Sequence, residues 1–424
     1  MDSPDSQTAP RKVLFISNGH GEDLNAVQIV KALRQQQPQV EIGAMPIVGY
    51  GNAYRNLDIN IIGPTEALPS GGFIYNDRFK LLEDIRSGLF TLLWRQIQAI
   101  RKYSKDCEAI LAIGDVVVLL GAYLTGKPYI SFMVSSSAYY EHRMQFPKLT
   151  EWLLKSDRCR QIFTRDRYTA ELLNKQGYDK AIFVGFPAMD ALEITGKDLQ
   201  LSPDLPLVAL LPGSRLPEAG NNLQLLLDLA ISTTPLFPDG IQFCAAVTPN
   251  LCVPDATGII PLQQIAAQRG WEYHPTGYLT HPQHQLTVCC IDDAFADILH
   301  QCDLVAGMAG TAIEQAVGLG KPIIQIPGAG PQFTYTFAEA QMRLLGASIQ
   351  TIGTKPATAA TITAAAQAID RTLNDPDYIQ QCQANGLNRI GGAGGGDAMA
   401  RIFADLFLKT DLSSTDKQSS RQGS

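Results

Sequence analysis

Several features that place a chain in a common class are missing from this sequence of 424 residues. It contains no run of about 18 apolar residues, the length that a membrane-spanning helix needs. Its polar, partly acidic first residues are unlike a secretory signal. The eight cysteines show no CxxC spacing, so we expect small core residues in a reducing compartment. These absences predict a cytoplasmic protein.

The sequence also lacks an excess of positive charge and a clear pattern of metal ligands. The formal net charge is −7, whereas a nucleic-acid-binding domain normally has a basic balance or a basic face. We therefore expect no nucleic-acid partner. His281 and His284 are close in sequence, but the proline between them interrupts the helix that would aim both rings at one ion. We expect no metal site.

Two glycine-rich stretches do not match the nucleotide motifs that they suggest. The turn at 19–21 lacks the third glycine of GxGxxG, because Leu24 takes its place. The run 391–396 has no preceding strand and no Gly-Lys-Ser/Thr ending, as a phosphate loop would have. We expect a turn there, capped by Asp397, before a last helix over 398–408.

Short apolar segments alternate with helical patterns along the chain, and 45% hydrophobic residues can supply substantial cores. This alternation predicts an α/β fold with mostly parallel sheets and helices on both faces. A Pro-rich segment, the linker at 188–206, divides this alternation of strands and helices into two halves. We expect strands at 13–17, 40–44, 60–62, 109–113, 129–134, 161–164, 181–184, 207–211, 242–247, 287–291, 303–306 and 323–326.

The segment 303–349 carries the clearest signal for a ligand. It is typical of a strand, a turn with Gly307 and Gly310, and a helix that begins at Thr311. Such a turn leaves free backbone N–H groups at the start of a helix, where phosphate is favoured. Glu314 would repel phosphate, but it suits the vicinal hydroxyls of a ribose. The alternative is that Glu314 only complements the helix dipole, for roughly 0.3–1 kcal/mol.

Two motifs extend this interpretation to a known family. Residues 307–326 resemble the donor-binding block of GT-B glycosyltransferases that use UDP-sugars, and LPGSRLPEAGNN at 211–222 resembles a motif of lipid A disaccharide synthases. The resemblance covers nearly the whole chain in the same order. It implies two Rossmann-like domains facing a central cleft, with the C-terminal helix crossing back to the first domain. It also implies an inverting transfer with a UDP-sugar as co-substrate and no further cofactor.

The resemblance assigns donor binding to the second domain. The acid that matches Glu314 holds the uridine ribose in that family, and the glycine turn receives the diphosphate. A guanidinium and a hydroxyl after the first strand of this domain would neutralise charge on the leaving group. Gln332 resembles a glutamine that peptidoglycan GlcNAc transferases place near the donor sugar. The expected donor-binding residues are Gly213, Ser214, Arg215, Gly310, Thr311, Glu314 and Gln332.

The base for the acceptor hydroxyl would come from the first domain. His20, on the first loop, and Asp115, at the end of an apolar strand, are the two candidates, although Asp115 has the alternative of capping the next helix. The acceptor-side loop consists of Gly19, Gly21, Glu22 and Asp23. It departs from the family, which has GEASGD where this chain has GHGED, and VSSSAYY at 134–140 stands where the family has VSPSxWAW. We expect a similar donor chemistry with an altered acceptor.

A basic segment over 73–105 contrasts with the acidic whole. Residues 78–105 contain seven Lys or Arg and two acids, mixed with aromatic and aliphatic side chains. This composition suits docking to an anionic membrane surface. The alternative is an ordinary core-facing helix with a solvated basic side.

These inferences predict a glycosyltransferase that moves a glucosamine-type sugar from a UDP-sugar to a lipid-linked or acylated-sugar acceptor. We expect it in the cytoplasm, peripheral at the inner face of the membrane. The alternatives are a UDP-GlcNAc 2-epimerase-like enzyme and a non-catalytic nucleotide-sugar-binding protein. The expected organisation is a disordered lead (1–10), an acceptor domain (11–187), a linker (188–206), a donor domain (207–385), a returning C-terminal helix (386–409) and a disordered tail (410–424).

Overall fold

A computed structural model of the chain describes residues 10–66, 89–140, 143–328 and 334–409, without the side chains of His20, Leu89 and Phe90. The predicted lead, except residue 10, and the predicted tail lie outside the described residues. The chain divides into two compact units. The first unit comprises residues 1–137, 144–187 and 394–424, and the second comprises 138–143 and 188–393.

The described residues of the first unit form a seven-stranded parallel sheet with helices. The strand order is β3-β2-β1-β4-β5-β6-β7. The strands are β1 (Lys12–Ser17), β2 (Glu41–Pro46), β3 (Asn60–Ile61), β4 (Cys107–Ile113), β5 (Tyr129–Met133), β6 (Cys159–Thr164) and β7 (Ala181–Ile182). The helices are α1 (His20–Gln36), α2 (Asn52–Arg55), α3 (Leu89–Tyr103), α4 (Val116–Leu124), α5 (Lys148–Lys155), α6 (Arg167–Lys175) and, at the C-terminal end of the chain, α15 (Gly395–Phe407).

Near-continuous burial along the central strands explains their uninterrupted apolar sequences. Residues 13–16 of β1 and 109–113 of β4 are fully buried, as expected for parallel strands that are covered on both faces. Helix α1 contacts α2 and α15, while α4 lies between α3 and α5 and contacts both. The sheet is therefore the middle layer of an α/β unit, as predicted.

Helix α15 completes the core of the first unit, which confirms the predicted return of the C-terminal helix. The Phe403 ring is buried and lies with its centroid 6.1 Å from that of Phe15 on β1. At the other end, Arg11 donates a hydrogen bond to the Phe407 carbonyl at 3.5 Å. The residue next to the first strand and the end of the last helix are thus in contact.

The start of α15 differs from the sequence prediction. The helix begins at Gly395 with Gly394 in a left-handed conformation (φ 103°), so the prediction that Asp397 caps it was wrong. A Cβ atom on Gly395 would lie 2.7 Å from the carbonyl carbon of Gly185, so glycine is needed for close packing. Asp397 lies in the first turn of the helix and instead accepts a hydrogen bond from Gln36 at 2.6 Å.

The described residues of the second unit form an eight-stranded sheet in the order β10-β11-β12-β9-β8-β13-β14-β15. Strand β11 pairs antiparallel with β10 and β12, and the other pairs are parallel. The strands are β8 (Leu207–Leu211), β9 (Gln242–Ala246), β10 (Glu272–Tyr273), β11 (Tyr278–His281), β12 (Leu286–Ile291), β13 (Leu304–Gly307), β14 (Ile323–Gln325) and β15 (Ile349–Thr351). The helices are α7 (Glu218–Thr233), α8 (Pro249–Cys252), α9 (Pro261–Gln268), α10 (Phe295–Gln301), α11 (Thr311–Gly318), α12 (Tyr335–Leu345), α13 (Ala359–Leu373) and α14 (Pro376–Arg389).

The predicted linker, 188–206, falls within the second unit, and the carboxylate of Asp297 makes several of its contacts there. Asp297, in the first turn of α10, accepts hydrogen bonds from the Thr195 backbone N–H at 3.0 Å, the Thr195 hydroxyl at 2.9 Å and the Gly196 N–H at 2.8 Å. These bonds lower the pKa of the Asp297 carboxyl, against the opposing effect of its burial. The segment before β8 is therefore attached to this unit at its midpoint.

Candidate active site

The first unit has its strand-order reversal between β1 and β4. From β1 the chain order runs through β2 to β3 on one side, and from β4 to β7 on the other. Ligands of open α/β sheets bind beyond the carboxyl ends of the strands at such a reversal. The loops that follow β1, β4 and β5 meet there, and the predicted acceptor-side residues lie in these loops or in the first turn of α1.

Asp115 lies at this edge, immediately after β4. One carboxylate oxygen accepts a hydrogen bond from the Val117 N–H at 2.9 Å, so Asp115 caps α4, which was the alternative to a catalytic role. The other accepts from the Asn18 side-chain amide at 3.1 Å. Gly114 permits this approach, because a Cβ atom there would lie 2.8 Å from the Asn18 Cβ. The catalytic role of Asp115 stays a prediction.

Glu22 connects the first loop to the segment after β5. Its carboxylate accepts a hydrogen bond from the Ser135 hydroxyl at 2.5 Å. Gly19 is the N-cap of α1, so Gly21 and Glu22 belong to the first turn of this helix and not to a preceding loop. The side chain of His20 lies outside the described part of the structure. Sequence reasoning missed Asn18 and did not single out Ser135 within 134–140.

Asp23 points into the core, which differs from its predicted place on the acceptor side. The Ser17 hydroxyl donates to one carboxyl oxygen at 2.5 Å, and the Tyr54 hydroxyl donates to Ser17 at 2.8 Å. The other oxygen has no hydrogen-bond partner among the described residues. Burial raises the pKa of Asp23 to about 7, the Ser17 hydrogen bond opposes this shift, and Glu22 adds to it.

The second unit has its reversal between β8 and β13, and both glycine turns lie there. Residues 212–215 follow β8, and Gly307 at the end of β13 pairs with Leu211 at the end of β8. A Cβ atom on Gly307 (φ 151°) would lie 2.3 Å from the Leu211 carbonyl oxygen, so only glycine fits. The structure therefore brings together, at one sheet edge, Gly213, Ser214 and Arg215 with Gly310, Thr311 and Glu314.

The turn after β13 (residues 307–310, the β13–α11 turn) leads directly into a helix. Gly310 is the N-cap of α11 and provides no side-chain cap. Glu314 lies in the first turn of α11 and is half-buried. The arrangement offers backbone N–H donors to an anion, with a carboxylate one turn away. Gln332 lies outside the described residues.

Asn222 links the two loops of this edge and was not assigned a role from the sequence. Its side-chain amide donates to the Pro212 carbonyl at 3.3 Å. A Cβ atom on Gly328, in the loop after β14, would lie 2.5 Å from the Asn222 side-chain oxygen. The signal was present, since Asn222 ends the segment LPGSRLPEAGNN.

The described residues contain no group of three His, Cys, Asp or Glu side chains arranged for a metal ion. Within the same ranges, no helix is long and apolar enough to cross a membrane.

No protein-family model and no curated protein matches the sequence, but the structure is similar to solved structures. UDP-GlcNAc 2-epimerase from Neisseria meningitidis, bound to UDP-GlcNAc, is 14% identical with a TM-score of 0.53, over 94% of this chain and 100% of that chain. MurG from Acinetobacter baumannii is 14% identical with a TM-score of 0.54, over 95% and 100%. S. aureus MnaA with UDP is 13% identical with a TM-score of 0.55, over 94% and 98%.

These similarities extend over nearly the full length of the chain, and they include both GT-B glycosyltransferases and UDP-GlcNAc 2-epimerases. Identities of 13–14% establish a common fold and leave the reaction open. Together with the two parallel-sheet units and the returning helix α15, they show that this chain has the GT-B fold.

Proposed function

We propose that the protein is a UDP-sugar-dependent glycosyltransferase that transfers a glucosamine-type sugar to a lipid-linked acceptor with inversion. The observation that carries this proposal is the β8/β13 edge, where two glycine turns, Arg215 and the start of α11 lie together. A diphosphate has the charge and size for such an edge. In this proposal Glu314, in the first turn of α11, binds the ribose hydroxyls.

The donor side of the reaction requires stabilisation of the leaving UDP. As the bond between sugar C1 and the β-phosphate oxygen breaks, its electron pair moves to that oxygen. Arg215, the Ser214 hydroxyl and the N–H groups that begin α11 would neutralise this charge. In this proposal no metal cofactor is needed, and the UDP-sugar is the co-substrate.

The acceptor side requires a base that removes the proton of the attacking hydroxyl. Asp115 and His20 remain the proposed candidates, and Glu22 lies at the same edge as Asp115. The new bond joins the acceptor oxygen to sugar C1 on the face opposite the leaving UDP, which inverts the anomeric configuration.

A lipid-linked acceptor is supported by the exposed surface of the layer α3–α4–α5. Trp94 of α3 and Trp152 of α5 are 62% and 52% exposed, while Leu149 is also exposed. Arg95, next to Trp94 in sequence, is exposed, and so is Arg158, whose guanidinium lies over the Tyr123 ring that contacts Trp152. Aromatic side chains among cations are suited to an anionic lipid surface. The part of the predicted basic segment at 73–88 lies outside the described residues.

Calorimetric titration with UDP tests the donor site. We expect the parent protein to bind UDP and Glu314→Ala to bind it about ten- to a hundredfold more weakly, because hydrogen bonds from ribose to a carboxylate are lost. Glu339→Ala is the matched control, since Glu339 is exposed on α12. If the parent protein does not bind UDP, the proposed function is wrong.

A UDP-GlcNAc 2-epimerase is a second candidate, favoured by the similarity to enzymes of that name. Mass spectrometry of the products separates the two. A transferase releases UDP and adds the sugar mass to the acceptor, whereas an epimerase leaves the mass of the UDP-sugar unchanged without any acceptor. Tight UDP binding with neither product would indicate a non-catalytic nucleotide-sugar-binding protein.

A further inference from the structure

A chain of buried amides connects helix α12 to the β13–α11 turn. The Thr351 hydroxyl on β15 donates to the Gln325 side-chain oxygen at 3.1 Å. The Gln325 amide on β14 donates to the Gln341 oxygen at 2.6 Å, and the Gln341 amide on α12 donates to the Ala309 carbonyl at 2.9 Å. Gln325 is 0% exposed and Gln341 is 4% exposed. The chain thus ends on the backbone of the turn.

The direction of each hydrogen bond in this series of side chains is fixed by the Ala309 carbonyl at its end. A backbone carbonyl oxygen can only accept, so Gln341 must turn its NH₂ group to Ala309 and its oxygen to Gln325. Burying two amides is costly unless they are paired, and each paired bond contributes only about 0.5–1.5 kcal/mol net. Apolar side chains would fill the same space without this cost. The chain is therefore better explained by the orientation that it imposes on the turn.

That orientation concerns the peptide bond between Ala309 and Gly310. In a trans peptide the N–H group points opposite to the C=O group. Because Gln341 holds the Ala309 carbonyl on the side of α12, the Gly310 N–H points away from α12. Gly310 has unusual conformational freedom, so this peptide could rotate if the carbonyl were released. A rotated peptide would turn an oxygen, and not an N–H group, to a bound anion.

A second contact holds α12 against the same turn. Met308 and Ala338 are both buried and pack against each other. Helix α12 therefore contacts two successive residues of the turn, one through an apolar side chain and one through a hydrogen bond.

We infer that Gln341 is a positioning residue that, through Gln325 and Thr351, directs the Gly310 N–H toward the diphosphate of a bound nucleotide. This inference rests on the proposed function, because it needs a nucleotide diphosphate at the β8/β13 edge. Gln341 itself does not touch the nucleotide. Gln341 affects only the binding of the phosphates, so the binding of the uridine part of the ligand does not depend on it.

The test compares two ligands on one variant. We expect Gln341→Met, which has a similar size and no donor, to bind UDP about tenfold more weakly than the parent protein, since an N–H bond to a charged oxygen is lost. Uridine has no phosphate, so its affinity should change less than about twofold by the same reasoning. Calorimetry measures UDP, and ligand-observed NMR titration measures uridine.

Gln350→Met is the matched control, because Gln350 is the neighbouring residue on β15 and bonds to Thr372 on α13 at 2.9 Å, away from the turn. This variant should be less stable to heat, but its affinity for UDP should not fall more than its affinity for uridine. If Gln341→Met does not fold, Thr351→Val tests the inference instead. We expect its affinity for UDP to fall about two- to threefold while its affinity for uridine is unchanged. If the affinities for UDP and uridine fall equally, or neither falls, the inference is wrong but the proposed donor site is unaffected. A parent protein that binds neither ligand overturns the proposed function as well.

Discussion

Buried Asp23 connects the stability of the first unit to pH. Its pKa of about 7 in the folded protein compares with an ordinary value of 3.8. Between these two values the folded state holds a proton that the unfolded state has released. The free energy of unfolding therefore falls as the pH rises through this range, and the contribution of Asp23 is fully present only at the acidic end.

Asp23→Asn should remove this dependence. Over pH 4 to 7 the parent protein should lose roughly 2–4 kcal/mol more of its unfolding free energy than the variant does. Urea unfolding at several pH values measures the difference. Tyr54→Phe is the control, because it removes the hydroxyl that bonds to Ser17 but keeps the carboxyl. A difference between parent and Asp23→Asn that stays constant with pH would contradict the assignment.

Only some residues of the candidate site could be predicted from the sequence. Gly310, Thr311 and Glu314 could be recognised because one strand-turn-helix segment contains them. Asn18, Ser135 and Gln341 could not, because each acts across space on a residue of another segment. Asp23 was misjudged because its neighbours in the helix give no sign that Ser17 and Tyr54 lie beneath it.

At the scale of elements, long apolar strands were predicted well and short polar ones were missed. Residues 13–16 of β1, 109–113 of β4 and all of β8 are buried, and each of these stretches is continuously apolar. Strand β11 reads YLTH and alternates between partial exposure and burial over four residues, too short for a period to be recognised. Strand β15 has three residues and depends on its pairing with β14.

The layer α3–α4–α5 gives a prediction about membranes. Arg95, Arg101 and Lys102 are exposed on α3, the helix that carries Trp94. Changing all three to Gln should weaken binding to vesicles that contain anionic lipid roughly a hundredfold, at about 1 kcal/mol for each cation near the surface. Co-sedimentation measures the bound fraction.

The matched control for this experiment changes three exposed cations of the second unit, Arg343, Lys355 and Arg371, to Gln. It removes the same charge from the molecule, so general electrostatic effects are equal. Similar losses in both triple variants, or undiminished binding after the α3 changes, would show that this layer is not the docking surface.

At the scale of the whole molecule, the first unit depends on a helix that follows the entire second unit in sequence. Phe403→Ala should destabilise the first unit by about 3–5 kcal/mol, because it removes a fully buried ring. The three tryptophans report this selectively: Trp94 and Trp152 lie in the first unit and Trp271 in the second. We expect the urea midpoint to fall when Trp94 and Trp152 are the reporters.

Leu406→Ala is the control for this variant, since Leu406 is on the same helix but exposed. Its effect should stay within about 0.5 kcal/mol. In a protein that retains Trp271 as its only tryptophan, Phe403→Ala should leave the urea midpoint unchanged. An equal shift for all three tryptophans would mean that the two units unfold as one.

The position of α15 also has a consequence for biosynthesis. A ribosome delivers residues 10–187 first, yet the core around Phe15 lacks its cover until Phe403 has left the exit tunnel. During the synthesis of more than two hundred intervening residues, 188–393, the nascent first unit presents the unprotected surface of α1 to solvent or to a chaperone. The second unit is continuous from 188 to 393 apart from the short segment 138–143, and can therefore mature earlier than the unit that precedes it.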